Sequence, residues 1–246
     1  MDSCISWPIV VIGIGGIGGI VASALAQYHG GRNDNREIIL VDGDSFTIEN
    51  RDRQYFEHLA NKATHTAQIL STRYPDLRLR SYDEYVDERN AFLIVPDQHI
   101  IFSCVDDHYA RKVISLQCDD IDNCILINGG NELLDGASQC SIRHNGVWLT
   151  PPLHVLYPHI LEAKQSERGR GCGQSPVSRE QSFFVNFAIA ADMLKFYNYI
   201  VSRGPLLDSD VMKSHIPPVN EFFSDLDSLK TRSIMHIPDA YGGSYE

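Results

Sequence analysis

Gly13-Ile14-Gly15-Gly16-Ile17-Gly18-Gly19 packs five glycines into seven residues and contains the spacing G-x-G-x-x-G through Gly13, Gly15 and Gly18. It follows the apolar run Pro8-Ile9-Val10-Val11-Ile12 and precedes a helix-forming stretch, the strand-turn-helix context in which the spacing has chemical meaning. Glycines there let the backbone turn tightly and approach a phosphate or ribose, and the helix start offers N–H groups to negative charge. Gly13, Gly15, Gly16 and Gly18 are therefore expected to line a nucleotide site. Asp42, 24 residues past Gly18, ends a second apolar run and is placed to accept hydrogen bonds from ribose hydroxyls. The glycines and Asp42 by themselves leave NAD, FAD and ATP open, as well as glycines used for close packing alone.

The residues beyond the second apolar run narrow the choice. Asp42-Gly43-Asp44, Asn50, Arg53-Gln54 and Lys62 set carboxylates, amides, a guanidinium and an ammonium there. A dinucleotide has little use for these groups, whereas a triphosphate needs several donors, with arginine able to bind bidentately. Farther on, Ser103-Cys104-Val105-Asp106-Asp107 is followed by Arg111. A carboxylate at a strand's C-terminal edge suits a magnesium ligand, and Asp106 is expected to fill that role.

The elements that carry these residues alternate. Strands are expected at Pro8 to Ile12, Glu37 to Asp42, Leu77 to Tyr82, His99 to Cys104 and Cys124 to Asn128. Helices are expected over Ile20 to Tyr28, Leu59 to Tyr74 and Asp107 to Cys118. This order implies a Rossmann-like, doubly wound α/β fold with a mostly parallel sheet and helices on both faces. After Gly130, Ala137 to Arg143 and Val147 to Thr150 flank His144-Asn145-Gly146, a hairpin signal that adds antiparallel edge strands. Pro151-Pro152 opens a stretch expected to be poor in regular structure, with its histidines His154 and His159 solvated. Ser166 to Ser178 reads as a mobile loop, and helix returns from about Arg179 to Val201. Phe183, Phe184, Phe187, Phe196 and Tyr197 on that helix are expected to be core or dimer contacts. The domain organisation expected is one unit over 1–203 with a loosely attached extension over 204–246, in which Glu221 to Asp227 reads as a surface helix.

The 246 residues are 43% hydrophobic and 22% charged, an ordinary globular composition. With 21 Lys+Arg against 32 Asp+Glu the formal charge is −11, which opposes nucleic-acid or anionic-membrane partners. The longest apolar stretch, Phe183 to Val201, is interrupted by Asn186, Asp192 and Lys195 and reads as a buried helix, not a membrane span. Six cysteines without CxxC spacing, and an opening that lacks an export signal, lead to the expectation of free thiols in the cytoplasm.

Taken together, GIGGIGG, then LVDGD with Asn50, Arg53 and Gln54 at matching offsets from Asp42, and CVDD followed by Arg111, resemble the ThiF/MoeB/ubiquitin-activating-enzyme (E1-like) superfamily over about residues 8–143, and loosely over 170–201. The resemblance implies an ATP- and magnesium-dependent enzyme that adenylates the C-terminal glycine of a small ubiquitin-like or sulfur-carrier protein, usually as a homodimer. It implies that Asp42 binds ribose, that Asn50, Arg53 and Lys62 bind phosphates, and that Asp106 holds the magnesium. Relatives that pass the acyl group to a thiol place a cysteine where Cys172 stands. Gly171 and Gly173 leave that thiol accessible and Arg168, Arg170 and Arg179 favour the thiolate; the alternative is a bystander cysteine. The sequence departs from its relatives in lacking paired CxxC motifs, so no zinc is expected. It also lacks an N-terminal helix that supplies an arginine, a role Arg51 could take over, and the stretch between Gln54 and Lys62 is about four residues shorter. Two other functions use the same glycines: an NAD-dependent oxidoreductase, which leaves Arg53, Lys62 and Asp106 without a task, and an inactive dimerising scaffold. A related tRNA-modifying dehydratase would want a basic surface.

Overall fold

A computed structural model describes residues 6–32, 34–52, 54–131, 134–164, 183–202 and 217–236. The first half alternates strand and helix: β1 (Ile9–Ile12), α1 (Gly16–Gly30), β2 (Glu37–Val41), α2 (Lys62–Arg73), β3 (Arg78–Tyr82), α3 (Ala91–Ile94), β4 (His99–Ser103), α4 (His108–Gln117) and β5 (Cys124–Asn131). The second half is β6 (Asp135–His144), β7 (Val147–Trp148), α5 (Leu153–Leu156), α6 (Phe183–Val201), β8 (Glu221–Asp225) and β9 (Lys230–Ile234). Among the described residues these nine strands form one sheet in the order β3-β2-β1-β4-β5-β6-β8-β9, with β7 paired to β6. The first five in that order run parallel; β6, β8 and β9 are antiparallel. The expected mostly parallel sheet with antiparallel edge strands is therefore present.

Parallel strands covered on both faces must be apolar throughout. Ile9 and Val11 point toward α1 and α6, while Val10 and Ile12 point toward α3 and α4, and all four are buried. The hairpin between β6 and β7 turns through Asn145 (φ 50°) and Gly146 (φ 76°), the two left-handed positions that an Asn-Gly turn supplies.

Several expectations need correction. α1 begins at Gly16, not Ile20, so the later glycines form its first turn. α2 begins at Lys62, not Leu59, because the Asn61 side chain accepts the Thr64 amide and caps the helix there. The stretch after Pro152 folds into α5 and a 3-10 turn, Pro158–Glu162. His154 is partly buried, hydrogen-bonded to Ser115 Oγ at 2.9 Å, and is not solvated. Of the α6 aromatics expected as core or dimer contacts, Phe196 and Tyr197 are core residues, and Phe183, Phe184 and Phe187 lie exposed on the chain's surface.

The largest correction concerns the C-terminal segment. Glu221 to Asp225 is a strand, not a helix, and Ala137↔Phe223 lies in its register with β6. Phe222 packs on Phe196 at 4.8 Å between ring centroids, and the Glu221 carboxylate accepts from Gln139 and Tyr157 and pairs with His236. Residues 221–234 extend the sheet and are not loosely attached.

Candidate nucleotide site

The candidate residues converge at the C-terminal ends of β2, β1 and β4, which are adjacent in the sheet. Gly13 has φ +88°, and a Cβ there would lie 2.8 Å from the Cys104 carbonyl. A Cβ on Gly18 would lie 1.8 Å from the Gly13 carbonyl, so the turn closes on itself only with glycine at both positions. Gly15 caps α1 without a side chain, which leaves the helix's first amides open to an anion. This is a cradle that side chains would fill, and it fits a phosphate group.

Asp42 binds the turn directly. Its Oδ2 accepts the Ile14 amide at 2.5 Å and its Oδ1 accepts the Asp44 amide at 2.8 Å. Burial raises its pKa above the usual carboxylate value, while Lys62 and the two amides act in the opposite direction. Asp42 therefore orders the turn through both of its oxygens.

Lys62 is buried (8% exposed), and its Nζ lies 3.2 Å from Asp44 Oδ2. Its amide donates to the Asp44 carbonyl, and the Asn61 side-chain amide donates to the carbonyls of both Asp42 and Asp44. Tyr85 donates its hydroxyl to the other Asp44 oxygen. Asp44 thus holds the Lys62 ammonium at the strand ends.

Asn50 Oδ1 accepts the Thr47 amide at 3.0 Å and closes a 3-10 turn, Ile48–Asn50. Gln54 donates its backbone amide to the Asn50 carbonyl, and its side chain reaches the glycine turn, 3.8 Å from a Cβ built on Gly15. Gln54 Oε1 is buried without a hydrogen-bond partner among the described residues. Such an orphan acceptor costs about 1–3 kcal/mol and suits a ribose hydroxyl. Asp106 is exposed on the bend after β4, and Asp107 caps α4 by accepting the Tyr109 and Ala110 amides. Arg111 donates to the Val105 carbonyl at 2.9 Å and steadies that bend. Among the described residues, Asp42 bonds to the glycine turn and Gln54 reaches it; Asp44 pairs with Lys62 next to Asp42, Asn50 holds the Gln54 backbone, and Asp106 follows the end of β4 on which Gly13 packs. Arg53 and Cys172 lie outside the described residues. Cys104 and Cys140 have thiols pushed up by burial, as core residues do.

One neighbour of the turn was missed. Asn186 on α6 is fully buried and its Nδ2 has no partner among the described residues, while its Oδ1 accepts from Asn131 at 2.9 Å. A Cβ on Gly16 would lie 2.1 Å from that Nδ2, so the amide occupies the space that Gly16 leaves. Its signal in the sequence is an amide near the start of an apolar helical run, one of several polar residues that interrupt it.

The sequence model of the ThiF family matches residues 5–196. The ubiquitin-like modifier-activating enzyme 5 of Oryza sativa subsp. japonica is 26% identical over 147 residues, 51% of this chain and 32% of that protein. Its counterpart from Bombyx mori is 26% identical over 138 residues, 50% of this chain and 34% of that protein. The chain thus spans about a third of the curated relatives' length. MccB of E. coli, solved with AMPCPP and MccA, superposes with a TM-score of 0.68 at 17% identity, covering 95% of this chain and 65% of that one. PaaA gives 0.61 at 15% identity, over 95% and 65%. These structures share the fold. Among the described residues, no helix is long and apolar enough to cross a membrane.

Proposed function

Because the chain belongs to the ThiF family, we propose that it is an adenylating enzyme that activates the C-terminal carboxylate of a small ubiquitin-like or sulfur-carrier protein, a chain ending in glycine. The observation that carries this reading is the glycine turn tied to Asp42 beside the buried Lys62–Asp44 pair, with Asp106 across the same strand ends. ATP lies with its ribose toward Asp42 and Gln54 and its phosphates over the first turn of α1. Asn50, Arg53 and Lys62 donate to the phosphate oxygens, with Lys62 shifting from Asp44 toward them.

The substrate carboxylate, already ionised near neutral pH, attacks the α-phosphorus. A P–O bond forms, the bond to the β-phosphate oxygen breaks, and pyrophosphate leaves with the electron pair. No general base is required, so the residues act by positioning and by spreading positive charge. Asp106 would hold a magnesium ion, which when bound would supply positive charge to offset the phosphates. The AMPCPP and MccA complex of MccB supports a nucleotide and a peptide meeting in this fold. Transfer of the acyl group to Cys172 and a homodimeric state belong to the same reading. The test is ATP–pyrophosphate exchange with purified small β-grasp proteins: exchange abolished by Asp106→Ala supports it, and no exchange with any carrier overturns it.

A further inference from the structure

A cavity of about 230 Å³ lies between the C-terminal half of β5, the N-terminal half of β6 and the layer formed by α4, α5 and the 3-10 turn. It adjoins the nucleotide site on two sides. Arg111, which lines it, bonds to the carbonyl just before Asp106, and Asn131, which also lines it, bonds to Asn186 beneath Gly16. A volume of this size holds one amino-acid side chain with room for solvent.

The hydrogen-bond polarity of its back wall is fixed from the far end. Burial works to raise the Glu221 pKa, yet hydrogen bonds from Tyr157, His236 and Gln139 bring it below the usual carboxylate value, so Glu221 is an ionised acceptor. Gln139 therefore presents Nε2, its donor, to Glu221 at 3.0 Å, and its Oε1 must accept from Asn128 Nδ2 at 2.8 Å. Asn128 is left with Oδ1 as an acceptor; that atom is buried and has no partner among the described residues, and the residue is 5% exposed. A flipped Asn128 amide would set its own Oδ1 against Gln139 Oε1, acceptor against acceptor, so the orphan is an acceptor by necessity. Buried acceptors of this kind call for a ligand donor.

We infer that this cavity is a subsite for a neutral, hydrogen-bond-donating side chain, a hydroxyl or a carboxamide, carried near the carboxyl end of the polypeptide substrate. The wall carries both the Arg111 guanidinium and the Asp135 carboxylate, so neither an anion nor an ammonium group meets a wall of uniformly opposite charge, and a neutral donor suits the Asn128 acceptor. Leu153, Ile160 and Phe223 cover the apolar part of such a side chain. Placement of this subsite beside the reacting carboxylate rests on the adenylation reading, whereas the pocket chemistry does not.

Two measurements separate the two. In NMR titrations, propionamide should shift the Asn128 and Gln139 side-chain amide resonances and bind at least about tenfold more tightly than its donor-free isostere butan-2-one; Asn128→Leu should erase the difference. Equal affinities, or a preference that survives Asn128→Leu, overturn the pocket chemistry. In the second, peptides with the last three positions randomised are incubated with the full chain and Mg-ATP, and trapped acyl products are sequenced. Enrichment of Ser, Thr, Asn or Gln over Leu, Lys and Gly at one position is expected, lost in Asn128→Leu and redirected toward Lys in Asn128→Asp. Acyl products without such a preference overturn the subsite and leave adenylation standing. Selective propionamide binding without any acyl product leaves the pocket and overturns its role in adenylation.

Discussion

The Ile14 amide donates to Asp42 Oδ2 at 2.5 Å, so the residue proposed to face the ribose fastens the glycine turn to the end of β2. Both Asp42 oxygens accept backbone amides, and an Asp42→Asn variant must turn a donor toward one of them. It is expected to lose about 1–3 kcal/mol in urea denaturation and to bind ATP more weakly.

Glycine substitutions should divide by geometry. Nothing lies within 4 Å of a Cβ on Gly19, so Gly19→Ala should stabilise the helix by about 0.5–1 kcal/mol. Gly16→Ala collides with Asn186 Nδ2 and should destabilise, and adding Asn186→Ala should recover part of the loss. A double-mutant cycle measured by thermal unfolding should give a coupling of about 0.5–3 kcal/mol.

Lys62→Met keeps the buried stem and removes the charge. The expected result is an ATP KM raised about tenfold or more, since a charge-assisted bond contributes about 1.5–3 kcal/mol. Folding should change far less, and circular dichroism melts check this.

Asp106→Asn is expected to retain nucleotide binding in calorimetry while losing about 10²–10³-fold in pyrophosphate exchange, the scale of one transition-state electrostatic contact.

His29 is 1% exposed, between Asp34 at 2.5 Å and the Tyr197 hydroxyl at 2.6 Å. Burial lowers its pKa below 6.5, outweighing Asp34. A depressed folded-state pKa means that the unfolded chain takes up the proton first, so this contribution to stability is present above about pH 6.5 and is lost as pH falls through the folded value. His65, His99 and His154 are lowered in the same direction by burial. Melting temperatures should fall below pH 6.5, with a shallower slope in His29→Gln.

The parallel half of the sheet was legible because Ile9 to Ile12 and His99 to Ser103 are apolar on both faces, and a buried strand has no other pattern. The glycine turn and Asp42 were legible for a related reason, since positive φ and backbone approach admit few residue types. β8 was not: Glu-Phe-Phe-Ser-Asp carries two charges and no alternation, and it is a strand because β6 offers it an edge and Tyr157, Gln139 and His236 satisfy Glu221. Asn186 and Asn128 were missed for the same reason. Their roles come from partners distant in sequence, Asn131 and Gly16 for the first and the Gln139–Glu221 chain for the second.

Asn61 grips the carbonyls of Asp42 and Asp44, and Ser45 forms a bridge with it. The chain between Ser45 and Asn61 is consequently clamped at both ends like a handle on a lid. Insertions or deletions along the handle are therefore expected to leave the ammonium of Lys62 beside Asp44.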